Sequence, residues 1–401
     1  MNKCGIYVFL LLLISLGISC ADKIPLVDDE PAVGGSGITS DFDTDLFRSV
    51  IGNEPQDKNV VISPISVSSV LRMILAGAEG NSANEIVQAY GDSLFANELL
   101  ADAKNFNNWL ATRSRSPIIE LSNAMFYDSN TFNPLPSYVE GLVDNFNTEE
   151  IKADFSNQTE ALSMINGWVN TKTKTRIPTI LSSIDPDEVM FLVNTLYLKA
   201  DWLDGFDERR TTDRDFTLED GSVIQVPTMA ADKLINKYSD EDLAAIELPY
   251  KDEEISMYLI KPLQGDVHGL ISNFSARKFD AIKDNFKKGR LLLTMPSFEV
   301  EYKNEQMVDR LKGLGIFDIF GNTANLTKMA EQKNLKVSRV IHKTYLTVDE
   351  RGTEGAAVTV GGVSVTSVPP QLDFDSPFIF IIANKTTNDF LFMGRISNPK
   401  E

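Results

Sequence analysis

Near its carboxyl end the chain carries Glu350-Arg351-Gly352-Thr353-Glu354-Gly355-Ala356-Ala357-Val358-Thr359-Val360-Gly361-Gly362-Val363-Ser364-Val365-Thr366-Ser367-Val368-Pro369-Pro370. β-Branched strand formers (Val, Thr) are mixed there with small flexible residues (Gly, Ala, Ser), and the last twelve residues before the prolines hold no charge. Such a stretch is able to pair as a strand yet is polar enough to persist as a loop. Inside a sheet, alternation sends Thr353, Gly355, Ala357, Thr359, Gly361 and Val363 to one face and Glu354, Ala356, Val358 and Val360 to the other. The first set is small throughout, as a strand must be if it is to slide over a packed core. The second tolerates its one charge, Glu354. The alternative is an aggregation-prone or disordered loop without function, so the rest of the chain decides.

Residues 1–20 read as a removable leader, with Lys3 followed by an apolar run from Ile6 to Ile18 that is too short to span a bilayer. Its end allows ordinary cleavage after a small residue. It also resembles a bacterial lipobox that would leave Cys20 as a lipid-bearing first residue, although Leu16 stands four places before the cysteine and not three. Lipidation is favoured because Cys20 would otherwise be an odd thiol in an exported protein. Of the two cysteines, Cys4 leaves with the leader, so no disulfide forms in the mature chain and stability rests on the core. Residues 21–39 form an acidic, then Gly-rich tether, and 40–401 contain no second low-complexity break and no repeat. A net charge of −19 argues against nucleic acid as a partner.

Within the body, Phe42, Leu46, Phe47 and Val50 lie at helical spacing after Ser40, and Asn59 to Ile62 reads as a short strand. Ser63 as N-cap and Pro64 in the first turn then open a buried helix that stops near Gly77. Leu99, Ala103, Phe106 and Leu110 mark another helix, while Ile118–Tyr127 and Glu150–Phe155 have strand character. Phe191-Leu192-Val193-Asn194-Thr195-Leu196-Tyr197-Leu198-Lys199-Ala200-Asp201-Trp202 is an apolar run around one Asn, the pattern of a strand buried on both faces whose amide needs partners.

Glu350-x-Gly352-Thr353-Glu354-Gly355-Ala356-Ala357, followed by a dozen residues and Pro369-Pro370, resembles the hinge and reactive loop of the serpins. Phe374-x-x-Pro377-Phe378 and Phe392-Met393-Gly394-Arg395-x-x-x-Pro399 resemble their carboxy-terminal signature, and Ser63-Pro64-x-Ser66 their second helix. Ile165-Asn166-x-Trp168-Val169 with Thr175-x-Ile177 is similar to the helix that crosses the central sheet, and reads equally as an amphipathic helix with a buried Trp. The resemblance covers about residues 40–399. It implies an α+β fold of three sheets and about nine helices with an exposed reactive-centre loop. It also implies a shutter in which Asn194 bonds across the sheet to His342 and to the helix of Ser63 and Ser66, and a breach at Trp202 where insertion begins.

No conventional active site is apparent. The only histidines are His268 and His342, the folded body has no cysteine for the commonest zinc sets, and the Gly-x-Ser-x-Gly, His-Glu-x-x-His and Gly-Lys-Ser/Thr motifs are missing. Asp252-Glu253-Glu254 read as exposed turn charges. The expectation is therefore no enzyme, no metal and no cofactor. The resemblance implies a suicide inhibitor: a serine protease acylates itself on the loop, and the cut arm enters the sheet and stalls deacylation. Aligning both loop ends places the cut between Thr366 and Ser367, with Val365 as the alternative bait, and a β-branched uncharged residue there suits elastase-like or subtilisin-like proteases. The hinge comprises Glu350, Gly352, Thr353, Glu354, Gly355, Ala356, Ala357, Val358 and Thr359. Papain-like cysteine proteases stay open as further targets. The rival reading is a non-inhibitory carrier or chaperone of the same fold whose loop is cut without trapping. The expected protein is a monomer, exported and held at the cell surface or outer membrane through a lipid at Cys20, or else secreted.

Overall fold

The computed structural model describes residues 40–113, 117–332, 334–353 and 369–401. Its first helix, α1 (Ser40–Ile51), buries Phe42, Leu46, Phe47 and Val50, the stripe predicted by their spacing. Strand β1 (Val60–Ile62) leads to α2 (Pro64–Gly77), whose whole length bar Val70 is buried. Ser63 stands at the N-cap with Pro64 after it, but its side chain makes no capping bond; it turns inward to Ser66. Then follow α3 (Gly80–Tyr90), α4 (Ala96–Ala111), β2 (Ile118–Asp128), α5 (Pro136–Phe146), β3 (Glu149–Ala153), α6 (Gln158–Lys172) and β4 (Met190–Asp201). The middle of the chain supplies β5 (Thr212–Thr217), β6 (Val223–Ser239), β7 (Leu243–Pro249), β8 (Ile255–Pro262), α7 (Val267–Ser272), α8 (Ala276–Asp284), β9 (Lys287–Pro296), β10 (Phe298–Asn304) and α9 (Met307–Gly313). The last elements are β11 (His342–Val348), β12 (Gly352–Thr353), β13 (Gln371–Asp373), β14 (Phe378–Asn384) and β15 (Phe390–Ile396).

Among the described residues this is the expected α+β fold of nine α-helices and three hydrogen-bonded sheets, but the sheets divide in an informative way. A nine-stranded sheet runs β1-β15-β14-β8-β7-β6-β9-β13, with β5 beside β6. The central sheet implied by the resemblance comes as two pieces, β12-β4-β2-β3 and β10-β11. β14 and β15 are buried at every position, in keeping with sequences that are apolar but for Asn384 and Arg395. Gly394 is required between them, since a Cβ there would lie 2.3 Å from the Phe380 ring and 2.9 Å from the Val60 carbonyl oxygen.

The core has a large cluster around α2 and the nine-stranded sheet, and a second beneath α6. In the second, Ala161, Ile165 and Val169 pack on Phe126, Phe155 and Val193. Asn166 fixes the chain's return past α6: its Oδ1 accepts from the Ile180 and Leu181 N–H groups at 2.8 and 3.0 Å, and its Nδ2 donates to the Leu181 carbonyl. Trp168 is half-buried, edge-on to Phe126 and donating to Glu149 at 2.9 Å.

One expectation is corrected and a second is refined. β4 is not buried along its whole length: Val193, Thr195, Leu198, Ala200 and Asp201 are buried while its other residues are partly exposed, its second edge bordering a gap. Glu253 and Glu254 are exposed in a turn as expected, Asp252 is largely covered, and Asp252 and Glu254 share a partner. Both pair with Arg113, whose guanidinium lies over the Trp109 ring at 4.5 Å while the indole donates to Glu254. No helix of the described residues is long and apolar enough to cross a membrane.

Candidate functional site

The hinge is seated at the top of β4. Gly352 and Thr353 pair antiparallel with it, opposite Asp201 and Ala200. The approach is a tight turn in which the Asp349 carboxylate accepts from the Arg351 and Gly352 N–H groups at 2.8 and 3.1 Å, and the Asp349 N–H donates to the Gly352 carbonyl at 2.9 Å. Gly352 has φ +151°, and a Cβ would lie 2.0 Å from the Ala200 carbonyl oxygen, so a side chain does not fit. Glu350 is held twice: its carbonyl accepts from the Phe206 N–H at 2.8 Å and its carboxylate from the Thr211 hydroxyl at 2.5 Å.

Trp202 closes this clasp. Its main-chain N–H donates to the Arg351 carbonyl at 2.9 Å and its indole N–H to the Asp349 carbonyl at 3.0 Å, while the ring stacks on Tyr250 with centroids 4.7 Å apart. Thr353 is 1% exposed and its hydroxyl lies 2.8 Å from that of Tyr250, so it points inward as alternation requires. Burial holds the Tyr250 phenol well above its usual pKa, which keeps it a neutral hydrogen-bonding partner.

Below Thr353 the second edge of β4 is unpaired among the described residues, and so is the edge of β11 that faces it. The two strands run parallel on either side of a slot. Its lower half is a cavity of about 610 Å³ walled by Val193 and Asn194 on one side and Ile341 and His342 on the other, with Ser66 and Val70 of α2 in its lining. A narrower gap continues upward between Leu196–Leu198 and Tyr345–Thr347 and ends at Thr353. A strand entering from the hinge would therefore find two open hydrogen-bonding edges.

The expected shutter residues are gathered here but joined differently. His342 is buried, and its Nε2 accepts from the Ser63 N–H at 3.0 Å, while the Ser63 hydroxyl donates to Ser66 at 2.8 Å. Burial lowers the His342 pKa to about 4, so the ring is neutral, as an accepting Nε2 requires. Asn194 does not bond to His342. Its amide donates to Asn123 Oδ1 at 2.8 Å, and the same oxygen accepts from the Ser69 hydroxyl at 3.2 Å while Asn123 Nδ2 donates to the Phe146 carbonyl at 2.8 Å. The network is thus two half-networks, one on each wall of the slot, because β4 and β11 share no ladder. Asn194 Oδ1 is buried without a partner.

Asn123 and Tyr250 did not emerge from the sequence as site residues. Asn123 carries the same signal as Asn194, an amide inside an apolar strand; Tyr250 carries none. Cys20, Glu354, Gly355, Ala356, Ala357, Val358, Thr359, Val365, Thr366 and Ser367 lie outside the described residues.

Among the described residues the hinge is seated on β4 at the top of an open slot whose two strand edges are unpaired. A family model described as Serpin (serine protease inhibitor) matches residues 38–399. The chain is 31% identical to human neuroserpin over 360 residues, covering 86% of this chain and 87% of that one. It is 30% identical to pig leukocyte elastase inhibitor, covering 91% and 99%. Among solved structures it is similar to the thermophilic serpin tengpin in the native state, with a TM-score of 0.83, 26% identity and 92% and 96% of the chains covered. It is likewise similar to the thyroxine-binding globulin complex with thyroxine, with a TM-score of 0.81, 26% identity and 91% and 99% covered. The chain belongs to the serpin family, whose general activity is protease inhibition.

Proposed function

We propose that this serpin traps serine proteases as acyl-enzymes by drawing its cut loop into the slot between β4 and β11. The observation that carries the proposal is the seated hinge. Gly352 opposite Asp201 and Thr353 opposite Ala200 set a register in which each later loop residue meets one earlier residue of β4. Continued downward, that register brings Ala357 opposite Leu196, Val365 opposite Glu188 and Thr366 opposite Asp187. The loop up to its bait residue therefore matches the depth of the slot.

The protease's serine oxygen attacks the carbonyl carbon of Thr366, the amide bond to Ser367 breaks, and the freed Ser367 amine leaves with a proton. This leaves an ester between protease and Thr366. Water would normally hydrolyse it. Insertion competes, because a ladder of roughly a dozen bonds along β4 alone contributes about 10 kcal/mol before side-chain burial, comparable to the stability of a whole domain. That is sufficient to distort an active site carried to the foot of the slot, and it makes the uncut fold a kinetically held state. His342, Ser63, Asn194 and Asn123 hold the slot's walls; none of them takes part in the bond chemistry.

A Thr or Val before the cut suits proteases with small apolar primary pockets, and a relative of this chain is named as an inhibitor of leukocyte elastase. Export through residues 1–20, anchorage through Cys20 and a monomeric state complete the proposal. The likeness to thyroxine-binding globulin supports a second reading, a carrier whose loop is cut without trapping. Mixing the chain without its leader with an elastase, a subtilisin and a trypsin separates the two. A denaturant-resistant adduct with the first two, and a released peptide beginning at Ser367, is expected. Clean cleavage by every protease without an adduct selects the carrier.

A further inference from the structure

At the foot of the slot its two walls are tied together by side chains. Glu188, in the turn that enters β4, is 7% exposed and makes three bonds. Its Oε2 accepts from Arg339 Nη2 at 2.6 Å and from the Asp185 N–H at 2.9 Å, and its Oε1 accepts from the Ser338 hydroxyl at 2.9 Å. Ser338 and Arg339 belong to the segment that enters β11, on the opposite wall. Arg339 also donates to the Ser183 carbonyl at 2.7 Å and lies over the Phe191 ring at 5.4 Å, while its Nε is buried without a partner. All three side chains line the 610 Å³ cavity. No backbone ladder joins the walls at this level, so the two bonds to Ser338 and Arg339 form a polar bridge across the slot.

The hinge register brings Val365 opposite Glu188. A strand that fills the slot to its bait residue must therefore pass between two groups that are now bonded to each other. We infer that the Glu188–Arg339–Ser338 bridge is a gate on the final stage of loop insertion: closed, it halts the arm short of Val365, and it must open before the arm seats completely. Glu188 and Arg339 are positioning residues here, acting on the strand edges and not on the scissile bond. The inference rests on the insertion reading above.

Glu188→Gln is the cleanest probe, because it keeps the shape and, through its one amide oxygen, the Asp185 N–H contact, while removing the charge that holds Arg339 and the second acceptor that Ser338 donates to; the partly exposed Arg339 left behind is able to reach solvent. Arg339→Gln leaves a buried carboxylate, so the exchanged pair Glu188→Arg with Arg339→Glu serves as the second variant. Each full-length protein lacking its leader is nicked in the loop by a protease that leaves no adduct, and the gain of resistance to heat and urea is followed in time. The expected result is seating about tenfold faster in Glu188→Gln than in the wild type, equivalent to about 1.4 kcal/mol off the barrier, with the exchanged pair returning towards the wild-type rate. The same order is expected for the fraction of elastase trapped per loop cut. Equal seating rates in wild type and Glu188→Gln, with only the melting of the uncut protein altered, overturn the gate and leave insertion standing. A nicked wild type that never gains resistance overturns insertion and the gate together.

Discussion

The hydroxyl of Thr353 lies 2.8 Å from the hydroxyl of Tyr250, inside the protein, although Thr353 is the last described residue before the reactive loop. On the proposed insertion, the first inward residue of the arm is thus already in place before any cut. Thr353→Arg puts a guanidinium into this pocket, where an unpaired buried charge costs several kcal/mol. The loop remains a substrate, so cleavage by elastase is expected to continue while the denaturant-resistant adduct falls about tenfold or more. An undiminished adduct on a gel would show that Thr353 need not enter the sheet.

Gly352→Ala tests the turn itself. A Cβ at 2.0 Å from the Ala200 carbonyl, on a backbone at φ +151°, forces the β12–β4 pairing apart. Strain of this kind costs about 1–3 kcal/mol. The expected outcome is a matching drop in urea stability together with an altered fluorescence of the folded protein, since Trp202 is bonded to the Arg351 and Asp349 carbonyls of this turn. A variant with wild-type stability would mean that the hinge does not hold this pairing in solution.

His342 predicts an acid effect with a definite sign. Its folded pKa is lowered to about 4 by burial, against 6.5 in an unfolded chain, so the unfolded state binds the proton first. The contribution is fully present above pH 6.5, declines as pH falls, and is exhausted near pH 4. Over that window it amounts to about 3 kcal/mol. His342→Gln, which retains an acceptor for the Ser63 N–H, is expected to gain on the wild type as pH drops from 7 to 4, measured by urea melts. A constant difference across that range would place the proton elsewhere.

Asp389 works in the opposite direction. It is buried beside Asp102 and Arg72, accepts from Thr387, and has its pKa raised to about 6, chiefly by burial. The folded state therefore prefers it protonated, and the stability it contributes is present at low pH and lost as pH rises from about 4 to 6. Wild type is expected to show a flattened acid profile because the two groups offset each other. Asp389→Asn should be more stable than wild type at pH 7 by about 1–3 kcal/mol, the advantage vanishing near pH 4, and should expose the His342 titration in full.

What the sequence reveals here depends on how local each signal is. The Ser63-Pro64 helix start and the inward side of Thr353 are short-range patterns: the helix opens after Ser63, and Thr353 faces the interior as alternation predicts. Asn194 was legible as a buried amide in an apolar strand, but its partner was not, because Asn123 is far away in the chain and nothing local links them. The same run suggested a strand buried on both faces; an apolar sequence does not distinguish a neighbouring strand from an open slot. Helix α5 buries Tyr138, Leu142 and Phe146, a stripe at helical spacing. Glu188 and Arg339 look like any acid in a turn and any base before a strand, and only the fold brings them within 2.6 Å.

The bait residue gives the most direct functional prediction. Thr366, the proposed bait, is uncharged and β-branched, and the register of Gly352, if continued, would bring it to the foot of the slot, so on this proposal its side chain bears on which protease is caught and not on how far the arm travels. A trypsin-like primary pocket takes its selectivity from a carboxylate that must be paired, which Thr366 does not supply. Thr366→Arg changes only that contact. Trypsin is expected to form the denaturant-resistant adduct with this variant and not with the wild type, elastase the reverse, with rates of complex formation changing by about a hundredfold or more in each direction. The released peptide should still begin at Ser367. If trypsin adducts appear with a different new amino terminus, or if elastase still traps through Val365 at the wild-type rate, the bait lies one or more residues away and the depth match with Asp187 has to be redrawn.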